Sequence, residues 1–312
     1  MTKIEDTFAL VGERIIASLD AGEAPPWVKG WSVVGDGMPH NPLTGRPYSG
    51  SNLMLLLCLN THGDPRFAGA SQWMKAGRPV RKGEHGIPIF FPRFKCAKCG
   101  MPVAPWMKAC KRGHSTLTDA DRAWAGWGEA TIFNNLQTAR PLDPIDGGEA
   151  VDPSVGFERA ARVIANVGAA IKHGGAKASY SPATDEIKMP KPASFKNVAD
   201  YWATNLHEHI HWTGAKSRCD RDGIVKFDGF GSPQYAFEEL IAEMGAAFAC
   251  AHLGIHRDGL IDNHTAYIAH WKKHIKDDPM CVRKAASLAA TACTFLMRKG
   301  GGLTEEPAGE DE

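Results

Sequence analysis

The chain lacks a dominant charge: 36 Lys and Arg stand against 35 Asp and Glu, leaving +1 over 312 residues. That excludes a uniformly basic nucleic-acid coat and an acidic solvating chain. No apolar run approaches the roughly 18 residues that a bilayer-spanning helix needs, and no signal-type segment precedes the first helix. Internal repeats are absent. The eight cysteines are irregularly spaced, and Cys58, Cys250, Cys281 and Cys293 sit in apolar segments, which excludes a disulfide framework and points to reduced thiols. With 43% hydrophobic residues, the chain can bury two modest cores.

The even balance conceals an asymmetry. Residues 1–140 carry 17 Lys and Arg against 11 Asp and Glu, while residues 141–312 carry 19 against 24. Between Arg66 and Arg112 there are eleven cations and a single acid, Glu84, with Phe67, Trp73, Phe90, Phe91, Phe94 and Trp106 interleaved. Cations that track phosphates, together with rings on which bases stack, suit single-stranded nucleic acid. A protein-docking face has the same composition. The residues expected to touch DNA are Trp27, Trp31, Tyr48, Asn52, Arg66, Trp73, Lys75, Arg81, Lys82 and Lys95.

His207-Glu208-His209-Ile210-His211 contains His-Glu-x-x-His inside a segment with helical apolar periodicity. Residues four apart lie one turn above each other, so His207 and His211 can share one metal while Glu208 reaches a water beside it. The helix is expected from Ser194, as N-cap, to Thr213-Gly214. A second helix follows, capped by Ser232 with Pro233 in its first turn and stopped by Gly254. It contains Glu238, Glu239 and Glu243. Glu239 is the expected third ligand and Glu238 its rival; Glu243, one turn on, is placed to hold the far nitrogen of a liganding histidine. His209 points away from the pair. An oxyanion donor for peptide cleavage is also required, and Tyr180, Tyr235 and His209 remain open for that part.

Cys96-x2-Cys99-x10-Cys110-x3-His114 is a second metal pattern, with the spacing of a tetrahedral structural zinc. Gly100 and Gly113 fit the tight backbone turns around such sulfurs. No helix long enough to read bases follows it, so the pattern reads as a stapled ribbon.

The fold expected is α+β. Residues 1–140 form a small mixed α/β domain with helices over Ile4–Leu19, Ser51–Leu59 and Ser71–Ala76, and strands over Ile87–Phe91 and Ala130–Phe133; the knuckle occupies 95–115. A Pro/Asp/Gly-rich linker spans 141–153. Residues 154–299 form a mainly helical domain with a small sheet: helices over Ser154–Ile171, Asp262–Ile275 and Pro279–Arg298, and a hairpin over Ala178–Ser181 and Asp185–Met189. Residues 300–312 are an acidic, disordered tail.

Several runs resemble the ArdC-type antirestriction proteins, which are related to the amino-terminal part of plasmid TraC primases. They are Asn41-Pro42-x-Thr44-Gly45-x-x-Tyr48-x-Gly50-x-Asn52, Val80-Arg81-Lys82-Gly83-Glu84-His85-Gly86, His207-Glu208-x-x-His211-Trp212-Thr213-Gly214 and Glu238-Glu239-Leu240-x-Ala242-Glu243. The resemblance implies a single-stranded-DNA-binding domain joined to a zincin-like metallopeptidase domain of gluzincin type. It further implies a role in protecting the DNA of a plasmid or phage from host restriction, in the cytoplasm of a bacterial host. Zn2+ would be the cofactor, single-stranded DNA a partner, and a host restriction protein or other peptide the substrate. The Cys96–His114 knuckle departs from the pattern as an insertion. A DNA-binding protector with a structural or vestigial zinc site is the other reading.

Overall fold

The computed structural model describes residues 2–27, 38–104, 107–144, 152–229, 232–255 and 267–303. Trp31, Trp106, most of the linker, the start of the helix expected from Asp262, and the end of the tail lie outside them. Helix α1 (Lys3–Asp20) opens with a capping box in which the Thr2 hydroxyl accepts from the Glu5 amide and the Glu5 carboxylate accepts from the Thr2 amide. Its buried stripe of Phe8, Val11, Ile15 and Leu19 has the spacing of one helix face. Helix α2 (Gly50–Leu59) is apolar on nearly every side. Strand β1 (Phe67–Gly69) and helix α3 (Ala70–Lys75) follow.

Strands β2 (Ile87–Cys96), β3 (Pro102–Val103) and β4 (Arg122–Asn134) complete an antiparallel sheet in the order β1-β4-β2-β3. The two long strands correct the short ones expected over 87–91 and 130–133. Their outer halves form an arm where Pro92, Gly126 and Gly128 erase any apolar alternation. The Asn52 side chain donates to the Phe90 carbonyl at 2.8 Å and accepts from its amide at 2.9 Å. That amide side faces away from β4, and Pro88 and Pro92 share its orientation, so their missing N–H groups cost no ladder bond.

The second half begins with α4 (Pro153–Val167), closed by Gly168 in the left-handed region at φ 73°. The chain then enters β5 (Ala170–His173), a strand where helix was expected, because Gly168 stops the helix early. β5 runs parallel to β7 (Glu186–Met189), which pairs antiparallel with β6 (Ser179–Ser181). Helix α5 (Val198–Thr213) starts later than expected. A 3-10 turn occupies Pro192–Ser194, and Asn197 caps the helix by accepting from the Asp200 amide. The short α6 (Asp222–Val225), then α7 (Pro233–Leu253), α8 (Ile268–Asp277) and α9 (Met280–Lys299) complete the body; α7 has its expected Ser232 cap and Gly254 stop.

The two halves do not keep separate cores. Phe8, Val11, Ile15, Leu53 and Met54 share one buried cluster with Leu206, Ile210, Leu240, Trp271, Val282 and Leu296. Helix α9 packs against α7, α2, α5 and α1. It is long and apolar enough to span a bilayer by length and composition, contrary to expectation. Its buried face of Val282, Ala285, Ala286, Ala289, Cys293 and Leu296 instead packs inside the protein. The knuckle carries its own small cluster of Cys96, Val103, Cys110 and Leu117.

Candidate functional site

One turn of α5 places the Nε2 atoms of His207 and His211 3.0 Å apart. Glu239 on α7 lies opposite, its two carboxylate oxygens 3.5 Å from His207 Nε2 and 3.4 Å from His211 Nε2. These three donors fall within 4.8 Å of one another, and all three residues are buried. Carboxylates of α7 face the outer edges of both rings: Glu238 Oε1 lies 3.2 Å from His211 Nδ1, and Glu243 Oε2 3.7 Å from His207 Nδ1. Glu238 is therefore not a rival ligand but the partner that fixes the His211 ring.

Glu238 is itself pinned by Arg221, whose Nη2 and Nε donate to it at 2.5 and 3.0 Å. The same guanidinium donates to Thr213 Oγ1 and to the Ile210 carbonyl. Sequence reasoning missed Arg221 because it stands in a loop outside any metal pattern. The approach of α5 to α7 depends on Gly245, where an added Cβ would lie 3.0 Å from the Ile210 side chain.

Four buried acids, Glu208, Glu238, Glu239 and Glu243, crowd two imidazoles. Burial disfavours a charged His211, yet the Glu239 charge and the hydrogen bonds that the ring donates to Glu238 and Glu239 outweigh it and push the ring up to about 10. Burial would raise the Glu239 carboxyl, but both histidines hold it well below the usual range. The cluster is thus built around positive charge. Two imidazoles and one carboxylate, braced from behind by further carboxylates, fit a divalent transition metal with open coordination positions.

Of the three residues considered as oxyanion donors, only Tyr235 reaches this centre. Its ring stacks on His211 at 6.0 Å, and burial together with the Glu239 charge and hydrogen bond raises its pKa strongly. Tyr180 is turned away, donating to Asp185 at 2.8 Å and accepting from Arg218. His209 is buried on the far face, its Nδ1 donating to the Asn205 carbonyl; burial pulls its pKa down to about 4. Tyr267, unnoticed in the sequence, adds a third ring 6.0 Å from Tyr235.

Cys96, Cys99, Cys110 and His114 also converge, with donor atoms within 4.8 Å of one another. Gly100 and Gly113 take positive φ of 72° and 83°. Their amides donate to the carbonyls of Cys96 and Cys110. Burial opposes ionisation of the Cys110 thiol, but amide bonds from Arg112 and His114 pull it down to about 6, the behaviour of a metal-ready thiolate.

The residues expected to touch DNA divide. Lys75, Lys82 and Lys95 are exposed. Trp27 and Trp73 are core residues and offer no face to a base, and the Trp73 indole donates to the Phe133 carbonyl. Arg66 is buried against Asp64. Asn52 is occupied by Phe90. Tyr48 is half-buried with its hydroxyl donating to the Phe67 carbonyl. Arg81 pairs with Glu84 and donates to the Thr138 carbonyl. Burial removes Trp27, Trp73 and Arg66 from the surface, whereas Asn52, Tyr48 and the exposed Arg81 make bonds within the protein. Among the described residues of the first half, the exposed rings are Phe91, Trp124 and Trp127.

Comparisons with known proteins agree with this architecture. Residues 5–114 match the family described as the N-terminal domain of the anti-restriction factor ArdC, and residues 158–288 match the zincin-like metallopeptidase family MPTase-PolyVal. The crystal structure of the antirestriction ArdC protein from plasmid R388, metal-free, superimposes with a TM-score of 0.68 at 31% identity, covering 96% of this chain and 99% of that one. Its Mn(II)-bound form gives 0.69, covering 94% and 97%. A DNA primase TraC of Escherichia coli is 36% identical over 92% of this chain but only 26% of its own length, so the chain spans about a quarter of that relative. The uncharacterized protein y4eC of Sinorhizobium fredii is 31% identical, over 93% of this chain and 91% of its own. On the strength of near-complete coverage in sequence and in three dimensions, the chain belongs to the ArdC antirestriction family, with a zincin-like domain that carries the His207-His211-Glu239 cluster.

Proposed function

We propose that this protein shields the DNA of a mobile element from restriction in a bacterial cytoplasm, binding single-stranded DNA through residues 1–140 and carrying a zinc-dependent peptidase centre. The observation that carries the peptidase reading is the meeting of His207, His211 and Glu239 beside Glu208. His207, His211 and Glu239 would hold a catalytic zinc; Cys96, Cys99, Cys110 and His114 would hold a structural one. A bound zinc at the first centre supplies Lewis acidity to the scissile carbonyl and the attacking water.

The chain's own residues do the rest. Glu208 takes the water's proton and delivers it to the leaving amine. Tyr235, kept protonated by its surroundings, donates to the developing oxyanion. Glu238 and Glu243 hold the two rings so that both Nε2 atoms face the same point.

Glu208→Gln tests the reading. Zinc content should be unchanged, while cleavage of a fluorescence-quenched peptide library falls by about 10²–10⁴. Loss of zinc along with cleavage would make Glu208 a structural residue. A variant that still shields a single-stranded region from restriction would assign protection to DNA binding alone.

A further inference from the structure

The outer arm of the β2–β4 hairpin, which leads into the knuckle at Cys96, carries the most exposed large rings on the sheet. Trp124 is 53% exposed and Trp127 41%. Three residues apart, they would fall on opposite faces of a regular strand. Gly126, at φ 96°, and the register shift between Pro92 and Phe94 break that alternation. The two rings consequently meet edge-on at 5.2 Å, and Phe94, opposite Trp124 in the ladder, adds a third at 6.0 Å.

A cation completes the group from the other half of the chain. The guanidinium of Arg283 on α9 lies 3.9 Å from the centre of the Trp127 ring. Its Nε is buried and has no hydrogen-bond acceptor among the described residues. The stacked guanidinium places a positive charge against the indole face, at the edge of the exposed rings.

Charge decides what the surface suits. The arm's acids are already neutralised: Asp119 pairs with Arg122, Asp121 with Lys98 and Glu129 with Lys3. Arg93, Lys95, Lys111 and Arg112, on the arm and its knuckle, are exposed and pair with no acid among the described residues. Exposed rings, surplus cations and a guanidinium stacked on one of the rings suit a chain that offers unstacked bases and phosphates together. A duplex keeps its base faces closed.

We infer that Phe94, Trp124 and Trp127, with Arg283 beside them, form the base-stacking platform for single-stranded DNA, so that the peptidase half supplies one of its contacts. This rests on the DNA-binding reading above and replaces the buried Trp27 and Trp73 as stacking residues.

The test uses the full chain and a fluorescein-labelled (dT)20 followed by anisotropy across a salt series. Trp124→Ala and Trp127→Ala should each weaken binding about tenfold, and Trp124→Phe much less. Both alanine variants should approach the affinity that the wild type shows for an abasic oligonucleotide of equal length. Arg283→Ala should lower the salt slope by about 0.7, the share of one phosphate on a single strand. Unchanged zinc content and thermal midpoint establish that the variants fold. If the wild type binds (dT)20 and the folded tryptophan variants bind within twofold of it, the platform is wrong and the DNA reading stands. If the wild type does not bind (dT)20, both fail.

Discussion

Glu238 and Glu239 are adjacent in sequence yet serve opposite nitrogens of one ring: Glu238 Oε1 lies 3.2 Å from His211 Nδ1, and Glu239 Oε1 3.4 Å from His211 Nε2. Neighbouring helix positions diverge by about 100°, so a ring inserted between them is gripped on both edges. Removing either carboxylate therefore has a different outcome. Glu239→Ala deletes a ligand and should abolish stoichiometric zinc at this centre. Glu238→Gln leaves all three ligands but loosens His211, and should weaken zinc binding about 10- to 100-fold in a chelator competition. Equal losses in the two variants would contradict the division of labour.

The grip also requires α5 and α7 to lie close. Gly245 packs on Ile210, in the middle of the histidine turn, so tightly that an added Cβ would lie 3.0 Å from that side chain. Gly245→Leu should cost about 1–3 kcal/mol in urea unfolding. It should also lower zinc affinity, because moving α7 outward draws Glu239 from both Nε2 atoms. A stability loss with unchanged zinc affinity would mean that the helices repack without opening the cluster.

Much of this centre was legible because its determinants are local. Four-residue spacing on a helix fixes His207 against His211, and Ser232, Pro233 and Gly254 bound the second helix by cap chemistry. The depth at which α7 sits against α5 is a tertiary quantity, so the sequence favoured Glu239 but kept Glu238 as a rival, and it hid Arg221. The residues expected to face DNA were a weaker reading for a related reason. Aromatic and basic composition does not report burial, and Trp73 and Arg66 are spent inside the fold. Trp124 and Trp127 were overlooked because Gly126 and Gly128 interrupt the alternation that marks a strand. The single core was also hidden, since an apolar face on α1 or α2 does not name its partner.

The knuckle stands apart from the histidine cluster, around its own small core of Cys96, Val103, Cys110 and Leu117. Cys99→Ala should reduce zinc from about two ions to one by metal analysis while leaving peptide cleavage intact. Its remaining ligands predict the pH response. With Cys110 pulled down to about 6, protons compete with metal for this thiolate once the pH falls below that value. Zinc release from Glu239→Ala, which retains only the knuckle ion, should therefore steepen below about pH 6. A release curve flat down to pH 4 would argue against a thiolate site.

Asp64 and Arg66 give the amino-terminal half a pH dependence independent of any metal. Arg66 Nη2 and Nε donate to the Asp64 carboxylate at 2.7 and 3.0 Å, Asn135 donates to it at 3.0 Å, and both members of the pair are buried. Burial alone would raise the carboxyl, but Arg66 and Asn135 hold it below its ordinary 3.8. A carboxyl depressed in the folded state adds stability that is complete above the unfolded value and is lost as pH falls through the folded one. Asp64→Asn should cost about 3 kcal/mol at pH 7, because Arg66 is left buried without its counter-charge. Urea unfolding of both proteins from pH 7 to pH 3 should show a constant difference down to about pH 4, narrowing below it as the wild type takes up the proton that the variant cannot. A difference that widened on acidification would reverse the sign and place the stabilising form of Asp64 in its protonated state.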